Sequence, residues 1–224
     1  MAIEGKGRNE SLSRAQQEVV GVVGLLGLQP GDMILDAPCE LGERARFFAR
    51  HGMHVVGMDP DESKVQVAGW NAGELEGVKP YFVKGELGVT GVSWVESQAV
   101  ISLVSFTDFF DAGKRRDALR EVSLALRPAG SFVTYVDPGC YLQMFTSECF
   151  DYGFESVQIF TGWDGAVWEK RWRKKVPKED GRLIFVAKKK GHEEALRAPK
   201  EMPVETVEDL PASAQNAVRF GKWR

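Results

Sequence analysis

One short stretch constrains the fold of this chain more than any other. Residues Met33–Asp59 contain two short apolar runs, each of which ends on an acid, at Asp36 and at Asp59. Between the runs, a tight loop that ends at Gly42 leads into a segment whose apolar residues recur at helical spacing. The pattern predicts a strand, a loop, a helix and a second strand, with an acid at the carboxyl end of each strand.

Two acids at neighbouring strand ends indicate where a ligand would bind. In an open parallel sheet, ligands bind beyond the carboxyl ends of the strands, where the amino end of the following helix also offers free N–H groups. Asp36 and Asp59 both fall at such ends. Their carboxylates suit a ligand that carries an amino group and a ribose diol.

The loop between these acids resembles a known cofactor loop. Residues 36–42 read D-A-P-C-E-L-G, which resembles the first loop of class I S-adenosylmethionine-dependent methyltransferases, in particular a small subset with the pattern D-x-P-C-G-x-G. Pro38, Cys39 and Gly42 match, whereas Glu40 replaces the middle glycine. Glycine there lets the backbone approach the methionine part of the cofactor and adopt positive φ without strain. Glu40 instead adds a Cβ and a negative charge near the expected cofactor carboxylate.

The resemblance implies both a fold and a function. The expected fold is α/β: a doubly wound, mostly parallel seven-stranded sheet with an antiparallel last strand. The implied function is transfer of a methyl group from S-adenosyl-L-methionine to a small-molecule acceptor, with S-adenosyl-L-homocysteine as product. Because Glu40 alters the glycine loop, two alternatives stand beside it. One is a catalytically inactive, methyltransferase-like binding or scaffold subunit, and the other uses the sulfonium for different chemistry.

The resemblance also assigns cofactor contacts at four strand ends. In this role Asp59 binds both ribose hydroxyls, although a lone Asp at a strand end is also a common helix cap. Glu86 accepts a hydrogen bond from the adenine amino group, or is simply a solvated turn acid. The complete set of implied cofactor residues is Asp36, Ala37, Pro38, Cys39, Glu40, Gly42, Asp59, Pro60, Glu86, Leu87, Ser102 and Leu103.

Candidate substrate and catalytic residues follow the fourth predicted strand. Methyl transfer is an in-line displacement, so positioning supplies much of the rate, and a base is needed only for an acceptor proton of high pKa. Asp108 and Tyr141 are the candidate catalytic residues. Phe106, Phe109 and Trp163 are the candidates for acceptor contact, although Phe109 also suits a loop anchor in the core.

The remaining pattern predicts alternating helices and strands. A helix over 15–26, capped by Ser11 or Ser13, either closes the site or only packs on the sheet. Ala99–Val104 is an uninterrupted apolar run typical of a strand buried on both faces. The other predicted helices cover 64–72, 114–126 and 140–149, and the other strands cover 81–83, 131–136, 152–160 and 181–189.

Composition limits the partners and the compartment. The net charge is −3, which argues against nucleic acid or an anionic membrane as a partner. Three cysteines and three scattered histidines lack metal-ligand spacing, so no metal site is expected. No apolar run approaches the ~18 residues of a membrane span, and no signal peptide is evident. The expectation is a reduced, cytoplasmic protein.

The last part of the chain departs from the βα repeat. Residues 1–190 are expected to form the α/β domain, and 191–224 a charged, proline-containing extension. The aromatic and basic run over 167–175 fits a guarded edge strand, a rim that recognises a substrate or partner, or, least favoured, a single-stranded nucleic acid site. Phe220 and Trp223 make the extension the candidate surface for a homo- or hetero-oligomer.

Overall fold

The computed structural model describes residues 12–106, 111–137, 141–167 and 182–191 of the chain. The helices in these ranges are α1 (Arg14–Leu26), α2 (Glu43–Arg50), α3 (Glu62–Gly73), α4 (Ala112–Ala125) and α5 (Tyr141–Asp151). The strands are β1 (Met33–Asp36), β2 (His54–Asp59), β3 (Tyr81–Lys84), β4 (Ser97–Ser105), β5 (Leu126–Val136), β6 (Phe154–Phe160) and β7 (Leu183–Lys189). None of these helices is long and apolar enough to cross a membrane.

The strands form a single seven-stranded sheet in the order β3-β2-β1-β4-β5-β7-β6. Strands β1 to β5 are parallel to one another, whereas β7 runs antiparallel to both β5 and β6. This topology confirms the predicted fold class. Because β1 lies between β2 and β4, the tips of these three strands meet at one edge of the sheet.

Each face of the sheet is covered by helices. Strand residues alternate between the faces, so Leu35 and Val100 belong to one core cluster and Ile34 and Ile101 to the other. Helices α4 and α5 bury apolar residues in the first cluster, and α1 and α2 do so in the second. The sheet is therefore doubly wound, as predicted.

Local signals explain where several elements begin. Ser13, one of the two predicted caps, accepts a hydrogen bond from the Gln16 N–H and completes a capping box at the start of α1. Asp61 caps α3 through the Ser63 N–H. The predicted fifth strand begins earlier than expected, at Leu126, because a register shift against β4 accommodates residues 127–130. Ala129 in that segment has φ of 61°.

Candidate functional site

A cleft opens at the carboxyl edge of the sheet, beside β1, β2, β3 and β4. Its volume is about 170 Å³. It is the position at which an open parallel sheet binds its ligand, because the strand tips and the loops after them converge there. The lining residues are Ala37, Pro38, Glu40, Met58, Asp59, Pro60, Lys64, Gly85, Glu86, Leu87, Ser102 and Val104.

Asp59, at the end of β2, is fixed in the wall of the cleft by two backbone amides. Its Oδ2 accepts a hydrogen bond from the Glu40 N–H at 2.9 Å, and its Oδ1 accepts one from the Asp61 N–H at 3.0 Å. The residue is 1% exposed. Since each carboxylate oxygen has two lone pairs, both oxygens keep acceptor capacity for a ligand in the cleft.

The loop after β1 is tight because two of its residues adopt left-handed backbone conformations. Glu40 has φ of 51° and Gly42 has φ of 75°. A Cβ on Gly42 would lie 2.7 Å from Phe82 Cζ, so only glycine fits there without displacement. A left-handed conformation costs an L-residue roughly 1–2 kcal/mol, which explains why the resembling family has glycine where this chain has Glu40. The Glu40 residue is exposed and lines the cleft.

Asp36, at the end of β1, lies behind this loop and is fully buried. Its Oδ1 accepts a hydrogen bond from Arg44 Nε at 3.1 Å, while its Oδ2 has no hydrogen-bond partner among the described residues. Burial raises the pKa of Asp36 to about 6, against the opposing effect of Arg44. Among the described residues, Arg44 is the cation that favours the ionised form of Asp36.

Arg44 belongs to a buried charge cluster that the sequence did not reveal. Besides Asp36, its guanidinium contacts the Pro38 carbonyl at 2.7 Å and Glu18 Oε2 at 3.6 Å. Glu18 on α1 also accepts a hydrogen bond from the Tyr135 hydroxyl at 3.0 Å and pairs with Arg14 at 3.0 Å. These contacts connect α1 to the tips of β1 and β5.

The structure brings most of the predicted cofactor residues together. Those that line the cleft are Ala37, Pro38, Glu40, Asp59, Pro60, Glu86, Leu87 and Ser102. Asp36, Cys39 and Gly42 are not among the lining residues; they lie in or beneath the loop. Leu103 lies in the core cluster that contains Ile101, on the face of the sheet opposite to Ser102. Sequence reasoning did not include Met58, Lys64, Gly85 or Val104.

The predicted acceptor-binding residues have different positions. Phe106 is fully buried in the core, with its ring 5.2 Å from Phe132 and 5.6 Å from Phe145. Trp163 packs against α1 at Gly21, and its ring lies 6.1 Å from that of Tyr135. Phe106 therefore contributes to packing, whereas Trp163 lies beside the buried charge cluster.

Several predictions fall on residues that the structure does not describe. Asp108, Phe109 and the side chain of Tyr141 lie outside the described residues. The same holds for 168–175 in the aromatic and basic run and for 192–224 in the extension. Among the described residues, no group of three or more His, Cys, Asp or Glu side chains is arranged to hold a metal ion.

Cys39 is the one thiol in the cofactor-like loop, and its environment opposes reactivity. The residue is 2% exposed. Burial, together with the Asp36 and Asp59 carboxylates, raises the pKa of its thiol well above the ordinary range. A thiol that stays protonated is a poor nucleophile and a poor metal ligand, so the environment of Cys39 suits neither role.

Comparison with known proteins finds solved structures that share this fold. No protein-family model matches the chain, and no curated protein sequence matches it. A solved TehB-like SAM-dependent methyltransferase from Corynebacterium glutamicum ATCC 13032 Kitasato is 22% identical, over 77% of this chain and 88% of that one, with a TM-score of 0.63. Magnesium protoporphyrin IX methyltransferase (ChlM) from Synechocystis PCC 6803, solved with bound SAM, is 19% identical over 83% and 86%, with a TM-score of 0.58.

A third solved structure with this fold carries a different activity. The [4+2]-cyclase SpnF is 18% identical, over 84% of this chain and 86% of that one, with a TM-score of 0.60. At these identities the likeness concerns the architecture. The chain has the fold of the class I S-adenosylmethionine-dependent methyltransferases.

Proposed function

We propose that this protein binds S-adenosyl-L-methionine in the cleft and transfers its methyl group to a small-molecule acceptor. The observation that carries the proposal is the Asp59 carboxylate, held by two backbone amides at the tip of β2 and facing the cleft. The same enzyme class is named for two of the structures that share the fold.

The residues present fit the cofactor. The Asp59 carboxylate would accept hydrogen bonds from the ribose hydroxyls, and the Glu86 carboxylate one from the adenine amino group. Pro60 and Leu87, which line the cleft, would supply apolar surface for the adenine ring. Asp36 lies behind the loop and does not line the cleft, so its carboxyl group would support the loop through Arg44 and would not contact the cofactor.

When bound, the cofactor supplies an electrophilic methyl group on a positively charged sulfur. The chain contributes binding and orientation, which suit an in-line displacement because alignment supplies much of its rate. Asp108 and Tyr141 remain the proposed acid–base residues for an acceptor that must lose a proton. Trp163 and Phe109 remain the proposed acceptor contacts, whereas Phe106 is better assigned to the core because it is fully buried.

A second candidate function is an inactive, methyltransferase-like binding subunit. The observation that favours it is Glu40, which places a carboxylate in the wall of the cleft where the resembling family has glycine. Either function is proposed for a cytoplasmic protein, and residues 191–224 are the proposed site of any homo- or hetero-oligomer contact.

Calorimetric titration with S-adenosyl-L-methionine and S-adenosyl-L-homocysteine tests the binding step. We expect both to bind wild type, and Asp59→Asn to weaken both by about tenfold or more, since hydrogen bonds to a charged group contribute roughly 1.5–3 kcal/mol. The matched control is Asp151→Asn. Asp151 is exposed at the end of α5 and precedes β6, which is the outermost strand on the side of the sheet away from β3. The stability of each variant is measured alongside, since Asp59 also orders the loop.

Mass spectrometry tests the transfer step. Wild type is incubated with deuteromethyl-labelled cofactor and a small-molecule extract, and we expect a labelled product that Asp59→Asn forms more slowly. Binding of the cofactor with no labelled product, across extracts that include proteins and nucleic acids, would favour the inactive subunit. A folded wild-type sample that gives no heat with either cofactor form contradicts the proposal.

A further inference from the structure

The cleft carries an excess of negative charge. Of its lining residues in the described ranges, Glu40, Asp59 and Glu86 bear carboxylates, whereas Lys64 alone bears a positive charge. Asp36 adds a buried carboxyl group behind the loop. A concave site lined by one sign of charge concentrates ligands of the opposite sign.

Arg44 does not neutralise this excess, because it is already paired. Its guanidinium contacts Asp36 at 3.1 Å and Glu18 at 3.6 Å. Each pair is buried, with side-chain exposures of 10% for Arg44, 0% for Asp36 and 5% for Glu18. Arg14 also pairs with Glu18, at 3.0 Å, so the two arginines and the two carboxylates of this cluster balance and leave no net positive charge to offset the acids of the cleft.

Glu40 differs from the other acids of the cleft in two ways. Its backbone occupies the left-handed region, at φ of 51°, which a non-glycine residue adopts only under strain. Its carboxylate also acts on the buried end of the site, because it is one of the charges that, after burial, raise the pKa of Asp36. A strained residue that adds like charge to a cleft points to a function in that cleft.

We propose that Glu40 makes the cleft select the cationic methyl donor over its uncharged-sulfur product. This inference rests on the proposed function. The two ligands share adenine, ribose, ammonium and carboxylate groups and differ in the methyl group and the sulfonium charge. Any repulsion between Glu40 and the cofactor carboxylate is therefore common to both and cancels in the ratio of their dissociation constants.

Coulomb's law sets the size of the expected preference. If the Glu40 carboxylate were about 6 Å from the bound sulfonium, an effective dielectric constant between about 40 and 80 would give a preference of roughly three- to tenfold. Because the Glu40 residue is exposed, salt should screen the preference. Methyl transfer removes the sulfonium charge and therefore also its attraction to Glu40. Release of the product should be easier as a result.

Titration calorimetry with three ligands tests the inference. S-adenosyl-L-methionine and sinefungin both carry a positive charge at the reacting position, whereas S-adenosyl-L-homocysteine does not. We expect wild type to bind the two charged ligands more tightly than the uncharged one, and to lose much of that preference between 50 and 500 mM NaCl. Glu40→Gln, which keeps the size of the side chain, should reduce the preference by about three- to tenfold.

Two further variants make the result specific. Glu40→Gly removes the charge together with the backbone strain. It should therefore reduce the preference for the two charged ligands, as Glu40→Gln does. Glu76→Gln is the matched control, because Glu76 is exposed beyond the end of α3 and does not line the cleft. This control should bind all three ligands as wild type does.

The possible failures are distinguishable. If folded wild type binds all three ligands and both Glu40 variants change every affinity by the same factor, the inference is overturned and the proposed function stands. If folded wild type binds none of the three, both are overturned.

Discussion

Replacing Arg44 with methionine tests the buried charge cluster, because Arg44 is the cation that Asp36 and Glu18 share. The guanidinium lies 3.1 Å from Asp36 Oδ1 and 3.6 Å from Glu18 Oε2, and it donates a hydrogen bond to the Pro38 carbonyl at 2.7 Å. Methionine keeps an apolar stem of similar length but removes the charge and all three contacts. We therefore expect a loss of stability that depends on the protonation of Asp36.

A thermodynamic cycle gives the magnitude at pH 7.5. Because the pKa of Asp36 is about 6, protonating it in the folded wild-type protein at this pH costs about 2 kcal/mol. In Arg44→Met the unpaired Asp36 should take up that proton, so the same amount is lost. The missing contacts to Pro38 and Glu18 add roughly 1.5–3 kcal/mol. The expected decrease in unfolding free energy is about 3.5–5 kcal/mol, in the range found for a broken buried pair.

The loss of stability in Arg44→Met should be smaller at pH 5.5 than at pH 7.5. The pKa of Asp36 is higher in the folded protein than its ordinary value of 3.8, so its ionisation favours unfolding as the pH rises through about 4 to 6. Arg44 offsets part of that penalty only where Asp36 is ionised. Below pH 6 most of Asp36 is protonated, and the expected loss falls to roughly 1.5–3 kcal/mol.

Urea denaturation at both pH values measures this difference. The control is Arg50→Met, since Arg50 is exposed at the end of the same helix and should change stability by about 0.5 kcal/mol or less. Equal losses for Arg44→Met at pH 5.5 and pH 7.5 would refute the reasoning, because they would show that Asp36 does not take up a proton when its cation is removed.

Three further predictions follow from the geometry. Gly42→Ala should lower the unfolding free energy by about 2–4 kcal/mol in urea denaturation, because its Cβ would lie 2.7 Å from Phe82 at a φ of 75°. Gly21→Ala should displace the Trp163 ring, 2.5 Å from the added Cβ, and alter the near-ultraviolet circular dichroism. Cofactor affinity should fall as the pH drops below about 6 and Asp36 is protonated, and calorimetry at pH 6 in two buffers of different ionisation enthalpy should detect proton release on binding.

Each of these has a contradicting result. Unchanged stability of Gly42→Ala would mean that the loop adopts another conformation. An unaltered aromatic signal in Gly21→Ala would mean that Trp163 does not pack on α1. Cofactor affinity that is constant between pH 5 and pH 7.5, with no buffer dependence of the heat, would mean that protonation of Asp36 is not coupled to cofactor binding.

The sequence predicted the fold well because its signals are local. The acids at Asp36 and Asp59 end buried strands as expected, and the apolar run over 99–104 lies within the central strand β4. The ends of the predicted elements were less accurate. Strand β5, for example, begins earlier than predicted, with a register shift beside Ala129 that depends on its pairing with β4. A pairing irregularity between distant segments leaves little trace in the sequence of either one.

The residues that line the cleft were predicted in part, and the differences have physical reasons. Ser102 and Leu103 were both assigned to the cofactor, but adjacent strand residues point to opposite faces, so only Ser102 lines the cleft. Arg44 escaped notice because a charged helix residue is ordinarily exposed. Arg44 can be buried because it pairs with carboxylates from α1 and β1. These carboxylates are distant from each other in sequence, so the pairing is not visible there.

Asp59 accepts hydrogen bonds from two backbone amides, and this affects how the position can evolve. One comes from the loop after β1 and the other from the start of the turn into α3, so the acid holds two segments together whether or not a nucleoside is near. Replacing this acid should therefore weaken the fold even in a chain that binds no ligand. Selection can preserve Asp59 through folding alone, so its presence in a related chain is not by itself a sign of cofactor binding.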